Sequence, residues 1–178
     1  QLLKRELLDI PKLYSLNVHA SFLPKYRGAA PINWALANGE KETGLSIMRM
    51  NEKMDEGDII LREVIPVGPH EDAIGLSKRL SEKGAILLPY SIDLIKKNKA
   101  FFTKQDNKDA TYAPKLKKQH GVIDWSLGAD KIYSRIRAFV PWPGCFTYWD
   151  RKILKIWQAI PEGDFGPAKS SSCRAHLS

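Results

Sequence analysis

Two polar side chains, Asn17 and His19, are two positions apart in a short apolar run that is typical of a β-strand. Residues two apart on a strand face the same side, so the amide and the imidazole are expected to project together, with Val18 on the other side as a buried anchor. An amide donates a hydrogen bond and an imidazole donates or shuttles a proton, which suits a reaction that generates an oxyanion. The alternative is a structural histidine, because a single Asn-x-His spacing is weak evidence of catalysis.

An acidic stretch at residues 54–58 (MDEGD) supplies the second candidate group. Asp55 is placed to orient the His19 imidazole if the strands beside this stretch neighbour the first strand in the sheet. The alternative is an acidic turn in which the glycine makes the bend. Lys25 and Arg27 present a similar choice, because they either meet phosphates or an acidic substrate, or are exposed turn residues.

Strands and helices alternate through the first half of the chain, and these elements must position the candidate groups. Sequence periodicity predicts strands at 16–18, 45–50 and 59–67, and helices at 4–9, 29–38 and from 71 to the basic KKNK stretch. Strands interleaved with helices favour a mainly parallel α/β sheet, in which the carboxyl ends of the strands open into a ligand-binding crevice. Pro89 is expected to kink the last helix or divide it.

A polar segment at residues 98–114 has the composition of a linker, and the pattern changes after it. A short helix is predicted at 129–139, and Arg135 and Arg137 lie on its polar face. Its apolar face comprises Ile132, Ile136 and Phe139. The runs FTYW and ILKIW around DRK predict a β-hairpin, so a small β-rich barrel is the favoured second domain. The tail from Pro161 shows no periodicity.

Composition and charge set the wider limits. The chain has 178 residues, of which 43% are hydrophobic and 27% charged, and this excludes collagen-like, low-complexity and wholly disordered classes. The formal charge of +8 is uneven, because residues 1–97 carry +1 and residues 98–178 carry +7 together with 12 of the 17 aromatic residues. This excess favours a polyanionic partner such as nucleic acid, with a solvated basic face as the alternative.

The chain shows no pattern of membrane insertion, secretion or metal binding. No apolar stretch approaches the roughly 20 residues that span a bilayer, and the first residues lack the pattern of a signal peptide. Cys145 and Cys173 have no metal-ligand spacing, so we expect two free thiols and no bound metal. The remaining histidines are expected at the surface: His70, His120 and His176.

The segment LNVHASFLPKYRGAAPINWALANGEKETGLSIMRM, followed by MDEGDII, strongly resembles the formyltransferase family that uses 10-formyltetrahydrofolate. The shared pattern is an Asn-x-His strand end, a Ser-x-Leu-Pro loop and a downstream Asp-x-Gly-Asp. The segments RGAAPINWAL, ATYAPKLKK, GVIDWS, IRAFVPWPG and LKIWQA are similar to the branch of the family that formylates initiator methionyl-tRNA. The resemblance runs from residue 1 to about residue 160.

The resemblance implies roles for individual residues. The matches to the catalytic residues of the family are Asn17, His19 and Asp55. The matches to its tetrahydrofolate-contacting loop are Ser21, Phe22, Leu23 and Pro24, with Phe22 in place of the commoner leucine. The pterin pocket is expected to be lined, largely through backbone groups, by Leu2, Leu3 and the loop from Asn51 to Asp55. Asn51 and Lys53 depart from the aspartate and glycine that the family has there.

The resemblance also implies an organisation and a set of partners. It predicts a partial Rossmann-like α/β catalytic domain at 1–97, a linker at 98–114 and an OB-like tRNA-binding barrel at 115–178, truncated at both ends. The co-substrate is 10-formyltetrahydrofolate. The protein is expected to be a monomer in the bacterial cytoplasm, or in a mitochondrion or plastid if its source is eukaryotic. Five residues are candidates for contacts with tRNA phosphates: Lys115, Lys117, Lys118, Arg135 and Arg137.

Two other functions stay open on the sequence. A sibling enzyme would use the same formyl donor on a small amine, such as an amino sugar or a purine precursor, but this leaves the basic second half unexplained. A fragment that binds RNA without catalysis, through the second half alone, also accounts for the charge.

Overall fold

A three-stranded sheet forms the centre of the first half. The computed structural model describes residues 3–161 and the backbone of 173–175. Strands β1 (Leu16–His19), β3 (Glu42–Arg49) and β4 (Ile59–Pro66) pair in the order β1-β3-β4. Both pairings are antiparallel, so the expected mainly parallel sheet is wrong for these strands. The connection from β3 to β4 covers only residues 50–58, whereas a parallel pair needs a crossover of a dozen or more residues.

The helices of the first half are found close to their predicted positions. They are α1 (Arg5–Leu8), α2 (Pro31–Ala37) and α3 (Ala73–Lys96). Helix α3 is continuous through Pro89, so the predicted division does not occur. Proline removes one backbone donor, but the carbonyl four residues earlier belongs to the exposed Ala85, and solvent can reach that part of the helix.

Val18 is not the buried anchor that the strand pattern predicts. Its side chain is 36% exposed, although the alternation of β1 does place it opposite the buried His19. The residue facing it on α3 is Gly84, and a Cβ atom built there would lie 3.1 Å from Val18 Cγ1. The missing side chain lets α3 pass close to Val18, which therefore contacts the helix although it stays 36% exposed.

A short parallel pairing ties the segment 98–114 to the first half. Strand β2 (Arg27–Gly28) pairs with β5 (Tyr112–Ala113), and a 3-10 helix at Asn107–Asp109 precedes β5. Gly28 has a φ of +123°, and a Cβ atom there would lie 2.6 Å from the Ala113 carbonyl oxygen. Only glycine permits this close approach of the two backbones.

The second half contains one helix and two small antiparallel sheets. A 3-10 helix at Lys118–Gly121 is followed by α4 (Ala129–Ala138), as predicted. The predicted hairpin is β6 (Cys145–Trp149) and β7 (Lys152–Ile156), and both turn residues between the strands have positive φ angles. Strand β8 (Ala159–Pro161) pairs with β9 (Cys173–Ala175), so the tail contains a strand too short to show periodicity.

One apolar core joins the two halves. It combines side chains of β3, α2 and α3 with the predicted apolar face of α4, namely Ile132, Ile136 and Phe139. Two hydrogen bonds reinforce the junction, from Trp34 Nε1 to the Pro114 carbonyl and from Asn33 Nδ2 to the Ala138 carbonyl, each 2.7 Å. Among the helices that the structure describes, none is long and apolar enough to cross a membrane.

Candidate active site

His19 lies at the end of β1 with both ring nitrogens facing oxygen atoms. The side chain is 5% exposed. Its Nε2 is 3.0 Å from the Tyr26 carbonyl oxygen, and its Nδ1 is 3.6 Å from Asp55 Oδ1. The backbone carbonyl fixes the ring plane, and the carboxylate faces the other nitrogen, which is the usual way of orienting a histidine for proton transfer.

Asp55 reaches His19 because β3 is the direct neighbour of β1 in the sheet. It occupies the loop between β3 and β4, and its Oδ2 accepts a 2.8 Å hydrogen bond from the Gly28 backbone N–H. Its φ is +54°, an uncommon value for a residue other than glycine. A Cβ atom on Gly57 would overlap the Arg49 carbonyl oxygen, so the glycine also makes the bend that the alternative interpretation required.

Asn17, His19 and Asp55 line one pocket of about 380 Å³. The opposite wall is formed by residues 28–33, at the start of α2. Asn17 is half-buried, and its amide makes no hydrogen bond to another described side chain or backbone group. The pocket therefore combines a free amide donor, an imidazole and a carboxylate, which together can stabilise an oxyanion and move a proton.

Gln105 supports this site from outside the pocket, and no sequence pattern indicated it. Its Nε2 donates to the carbonyl oxygens of Asp55 at 2.8 Å and of Gly57 at 2.7 Å. Its Oε1 accepts from Arg27 Nε at 3.0 Å and Nη2 at 2.7 Å. Gln105 belongs to the segment predicted as a linker, where a polar side chain gives no signal of a contact made 50 residues away.

Arg27 follows neither of the alternatives raised by the sequence. Its side chain is 1% exposed, so it is neither a surface turn residue nor available to a substrate. Besides Gln105, it donates to Asn107 Oδ1 at 3.0 Å and lies 3.7 Å from Glu56. Lys25, two residues earlier, is exposed.

The loop predicted to contact tetrahydrofolate is held by Ser21 and by side chains of the neighbouring strands, because Ser46 bonds the Ser21 carbonyl and the Leu23 N–H and Arg62 donates to the Leu23 carbonyl. Ser21 and Leu23 are fully buried, and Ser21 Oγ donates to the Lys25 carbonyl at 2.6 Å. Phe22 is half-buried beneath Arg62, whose guanidinium carbon is 4.5 Å from the ring centroid, and Pro24 is also half-buried. The surface that this loop can offer a ligand therefore comes from its backbone, Phe22 and Pro24.

Of the other residues predicted to line the pterin pocket, the structure describes Leu3 and the loop that begins at Asn51. Asn51 is exposed, and its Oδ1 accepts a 3.0 Å hydrogen bond from the Lys53 backbone N–H. Leu3 is half-buried, and Leu2 lies outside the described residues. Of the loop that begins at Asn51, Asp55 is the residue that the structure brings to His19.

The five basic candidates fall into two groups. The three lysines, Lys115, Lys117 and Lys118, are exposed. Arg135 and Arg137 are half-buried and donate to backbone carbonyls, Arg135 to His120 at 2.8 Å and Arg137 to Glu71 at 2.8 Å. These two guanidinium groups already have protein partners.

Other titratable groups help to define the surroundings of the site. Burial and the hydrogen bond to Glu40 raise the pKa of Tyr26 to about 12. The backbone carbonyl of Tyr26 contacts His19.

The remaining histidines and the cysteines lie outside the pocket or outside the described residues. His70 is exposed as predicted, His120 is half-buried, and His176 lies outside the described residues. Cys145 is a free buried thiol, and nothing is described of the Cys173 side chain. The part of the chain described holds no cluster of three metal-ligating side chains.

Comparison with known protein families decides the assignment. Residues 1–92 match the family described as formyl transferase, and residues 115–174 match the formyl transferase C-terminal domain. This chain belongs to the formyl transferase family. The second match extends beyond the limit near residue 160 that the motifs indicated, so the resemblance covers more of the tail than predicted.

Members of the formyl transferase family in bacteria are similar over most of this chain. It is 45% identical over 166 residues to a methionyl-tRNA formyltransferase of Geobacter sulfurreducens, covering 93% of this chain and 52% of the relative. The same enzyme of Caldanaerobacter subterraneus is 46% identical over 166 residues, covering 93% and 54%. The chain therefore spans about half the length of the curated relatives it matches.

Solved structures of formyl transferases share the fold. The methionyl-tRNA formyltransferase of Clostridium thermocellum has a TM-score of 0.69 at 20% identity, covering 100% of this chain and 74% of that one. An N-formyltransferase of Helicobacter canadensis, in complex with folinic acid and dTDP-3-aminofucose, has a TM-score of 0.77 at 24% identity, covering 92% and 60%. The likeness shows an α/β first part, similar to a Rossmann-like domain, followed by a small C-terminal domain.

Proposed function

We propose that this chain is part of an enzyme that transfers the formyl group of 10-formyltetrahydrofolate to the α-amino group of initiator methionyl-tRNA. The observation that carries the proposal is the convergence of Asn17, His19 and Asp55 on one pocket. Similarity to methionyl-tRNA formyltransferases over 93% of the chain supports this choice of acceptor. The proposal places the enzyme in the bacterial cytoplasm, because translation initiation takes place there. It takes the enzyme to be a monomer.

The proposed domain organisation assigns one task to each part. Residues 1–97 form the catalytic domain, residues 98–114 connect it to the next, and residues 115–178 form a tRNA-binding domain of OB-like barrel type. The shared apolar core and the bonds of Trp34 and Asn33 hold the two domains in a fixed relation. The basic residues of the second half therefore keep a constant distance from the pocket.

The mechanism follows from the side chains in the pocket. Attack of the amine on the formyl carbon forms a C–N bond and places negative charge on the former carbonyl oxygen. The Asn17 amide stabilises that oxygen together with the Nδ1 atom of His19, because Nε2 is held by the Tyr26 carbonyl whereas Nδ1 lies 3.6 Å from Asp55, beyond hydrogen-bond distance. Asp55 holds His19 in place and helps to pass the amine proton to the N10 nitrogen of the folate, and collapse of the intermediate breaks the bond between the formyl carbon and that nitrogen.

The folate co-substrate fits the loop after β1 through a limited set of groups. Because Ser21 and Leu23 are buried and their backbone groups bond to Ser46 and Arg62, we assign direct contacts to Phe22, Pro24 and the remaining backbone groups of the loop. The pterin contacts of Leu2, Leu3 and the loop from Asn51 remain part of the proposal. No metal is needed for this chemistry, because the charge that develops is met by hydrogen-bond donors.

The polyanionic acceptor is assigned to the exposed lysines of the second half. Lys115, Lys117 and Lys118 are free to meet tRNA phosphates, whereas Arg135 and Arg137 retain this role only if they exchange their backbone partners for phosphate. The alternative acceptor is a small amine such as an amino sugar or a purine precursor, and the Helicobacter canadensis N-formyltransferase is in complex with dTDP-3-aminofucose. Formyl transfer to charged initiator tRNA, measured beside transfer to amino sugars and purine precursors, distinguishes the two.

Two substitutions test the proposed chemistry in the intact gene product. Asn17→Ala and His19→Ala are each expected to lower kcat by about 100- to 1000-fold, the usual cost of losing one oxyanion donor. His70→Ala removes an exposed histidine outside the pocket and is the matched control, with kcat expected to stay within about twofold of wild type. A loss of less than tenfold in both pocket variants contradicts the proposed function.

A further inference from the structure

The backbone around Asp55 needs support from outside its own loop. Asp55 has a φ of +54°, which costs free energy for a residue that has a Cβ atom. Two carbonyl groups of this turn, those of Asp55 and Gly57, point at a single side-chain amide, Gln105 Nε2. Among the described side chains, Gln105 is the one that donates to the backbone of residues 55–57.

The other end of Gln105 is fixed as firmly. Its Oε1 accepts two hydrogen bonds from Arg27, a side chain that is 1% exposed. The next residue, Gly28, donates its backbone N–H to Asp55 Oδ2 at 2.8 Å. Gln105, Arg27, Gly28 and Asp55 thus form a closed ring of contacts that fixes both the backbone and the carboxylate of Asp55.

This ring of contacts includes the Asp55 carboxylate, which faces the His19 imidazole in the proposed mechanism. Asp55 uses Oδ2 for Gly28 and presents Oδ1 to His19 Nδ1. A displacement of about 1 Å at a catalytic group can cost on the order of 100-fold in rate. Asn107 also binds Arg27 but contacts no backbone group of residues 55–57, so the ring closes through Gln105.

We propose that Gln105 is a positioning residue for the reaction, which holds the Asp55 turn so that its carboxylate faces His19. The inference rests on the proposed function, because it takes Asp55 as catalytic. It extends the active site into residues 98–114, the segment predicted as a linker. Gln105 itself touches neither the pocket nor the reacting groups.

The first experiment compares Gln105→Leu with a matched control. Leucine removes both the donor and the acceptor, and kcat for formyl transfer is expected to fall about 10- to 100-fold, while KM for tRNA changes less than about threefold. Gln158 is exposed and lies in the second half, so Gln158→Leu makes the same chemical change away from the pocket and is expected to leave kcat unchanged. Equal kcat in the two variants overturns the proposal.

A double-mutant cycle separates positioning from general stabilisation. If Gln105 acts through Asp55, adding Gln105→Leu to Asp55→Ala lowers kcat by no more than about threefold beyond Asp55→Ala alone. Losses that multiply overturn the positioning role while leaving the proposed function intact. A loss below tenfold in Asp55→Ala alone contradicts the catalytic role of Asp55, and the Gln105 proposal falls with it.

A second variant covers a failure of the leucine protein to fold. Gln105→Glu keeps an acceptor for Arg27 but places an oxygen against the two carbonyls, so it loses only the support of the Asp55 turn. Gln105→Glu is expected to lower kcat at least as much as Gln105→Leu does. It can replace Gln105→Leu in the double-mutant cycle with Asp55→Ala. If circular dichroism shows both variants to be unfolded, Gln105 is a folding residue and the positioning role is overturned.

Discussion

The pocket around His19 and the basic surface of the second half hold their charged groups in opposite ways. In the pocket, Asp55 and Arg27 are largely buried, and each has several partners from distant parts of the chain. On the basic surface, Lys115, Lys117 and Lys118 are exposed. Rigid placement suits groups that must meet a reacting atom, whereas mobile cations suit a flexible polyanion.

This difference predicts two kinds of response to mutation. Buried, bonded groups are expected to change kcat by large factors that do not depend on salt, because their interactions are shielded from solvent. Exposed lysines are expected to change KM by small factors that do depend on salt. Each of the following changes tests this contrast, beginning with the largest effect.

Asp55→Asn keeps the size of the side chain and an acceptor for Gly28 but removes the charge that faces His19. Loss of the carboxylate that orients a catalytic histidine costs up to about 10⁴-fold, so kcat is expected to fall by roughly 10³-fold at every salt concentration. Steady-state kinetics at several salt concentrations measure it. Asp9→Asn is the control, because Asp9 is exposed and forms its ion pair with Arg5. A strongly salt-dependent loss of kcat in Asp55→Asn would break the contrast.

Replacing Lys115, Lys117 and Lys118 together with glutamine is expected to raise KM for tRNA roughly tenfold with little change in kcat. Each lost phosphate contact reduces the slope of log affinity against log salt by about 0.7–0.9. Filter binding across a salt series measures the slope. Glutamine at Lys12, Lys41 and Lys96, exposed lysines of the first half, removes the same charge as a control. Equal slopes in the two triple variants indicate a merely solvated basic face.

Arg137→Gln sharpens the contrast within the second half. Arg137 donates to the Glu71 carbonyl, so its loss leaves a half-buried carbonyl unpaired and is expected to lower the free energy of unfolding by about 1–3 kcal/mol. The salt slope for tRNA is expected to stay the same. Urea denaturation and the same binding series measure the two quantities. Unchanged stability with a reduced slope would instead make Arg137 a phosphate ligand.

Tyr26→Phe is expected to have the smallest effect on the reaction, and its effect on the free energy of unfolding fades at high pH. The pKa of Tyr26 is raised from 10 to about 12, first by burial and then by its hydrogen bond to Glu40. The folded protein thus holds this proton more tightly than the unfolded chain, so the stabilisation is complete below pH 10 and is lost as pH rises to 12.

Denaturation of wild type and Tyr26→Phe between pH 9 and 12 tests this dependence. The difference in unfolding free energy between the two proteins is expected to shrink across that range. Tyr112→Phe, at an exposed tyrosine, is the control and is expected to track wild type. A difference that stays constant between pH 9 and 12 rules out the raised pKa.

Local pattern was sufficient for much of the site. The period of two along a strand placed Asn17 and His19 on one side, and their common pocket confirms that they lie together. Asp55 depended on one condition, that the strand beside its loop neighbours β1, and the pairing of β3 with β1 meets it. Helix α4 and the hairpin β6–β7 were predicted from periodicity and turn residues alone.

Features that depend on distant contacts were not accessible in the same way. The prediction of a mainly parallel sheet was wrong for β1, β3 and β4, because the alternation of strands and helices does not fix whether neighbouring strands run parallel or antiparallel. Arg27 was expected at the surface or on a substrate, since burial of an arginine depends on partners such as Gln105 and Asn107, which lie about 80 residues away. Val18 was expected as a buried anchor, and its 36% exposure depends on how the other elements pack against β1, which local pattern does not show.

The segment between the two halves has a practical consequence for exchanging domains among family members. A chimera joined after Lys97 would separate Gln105 from Asp55, and Thr111 from its 2.9 Å hydrogen bond with the Tyr26 backbone. A junction placed after Ala113 keeps β5 with β2 and leaves these pairs in their native combination. A chimera that is to keep the pocket intact therefore needs the connecting segment from the same parent protein as the first half.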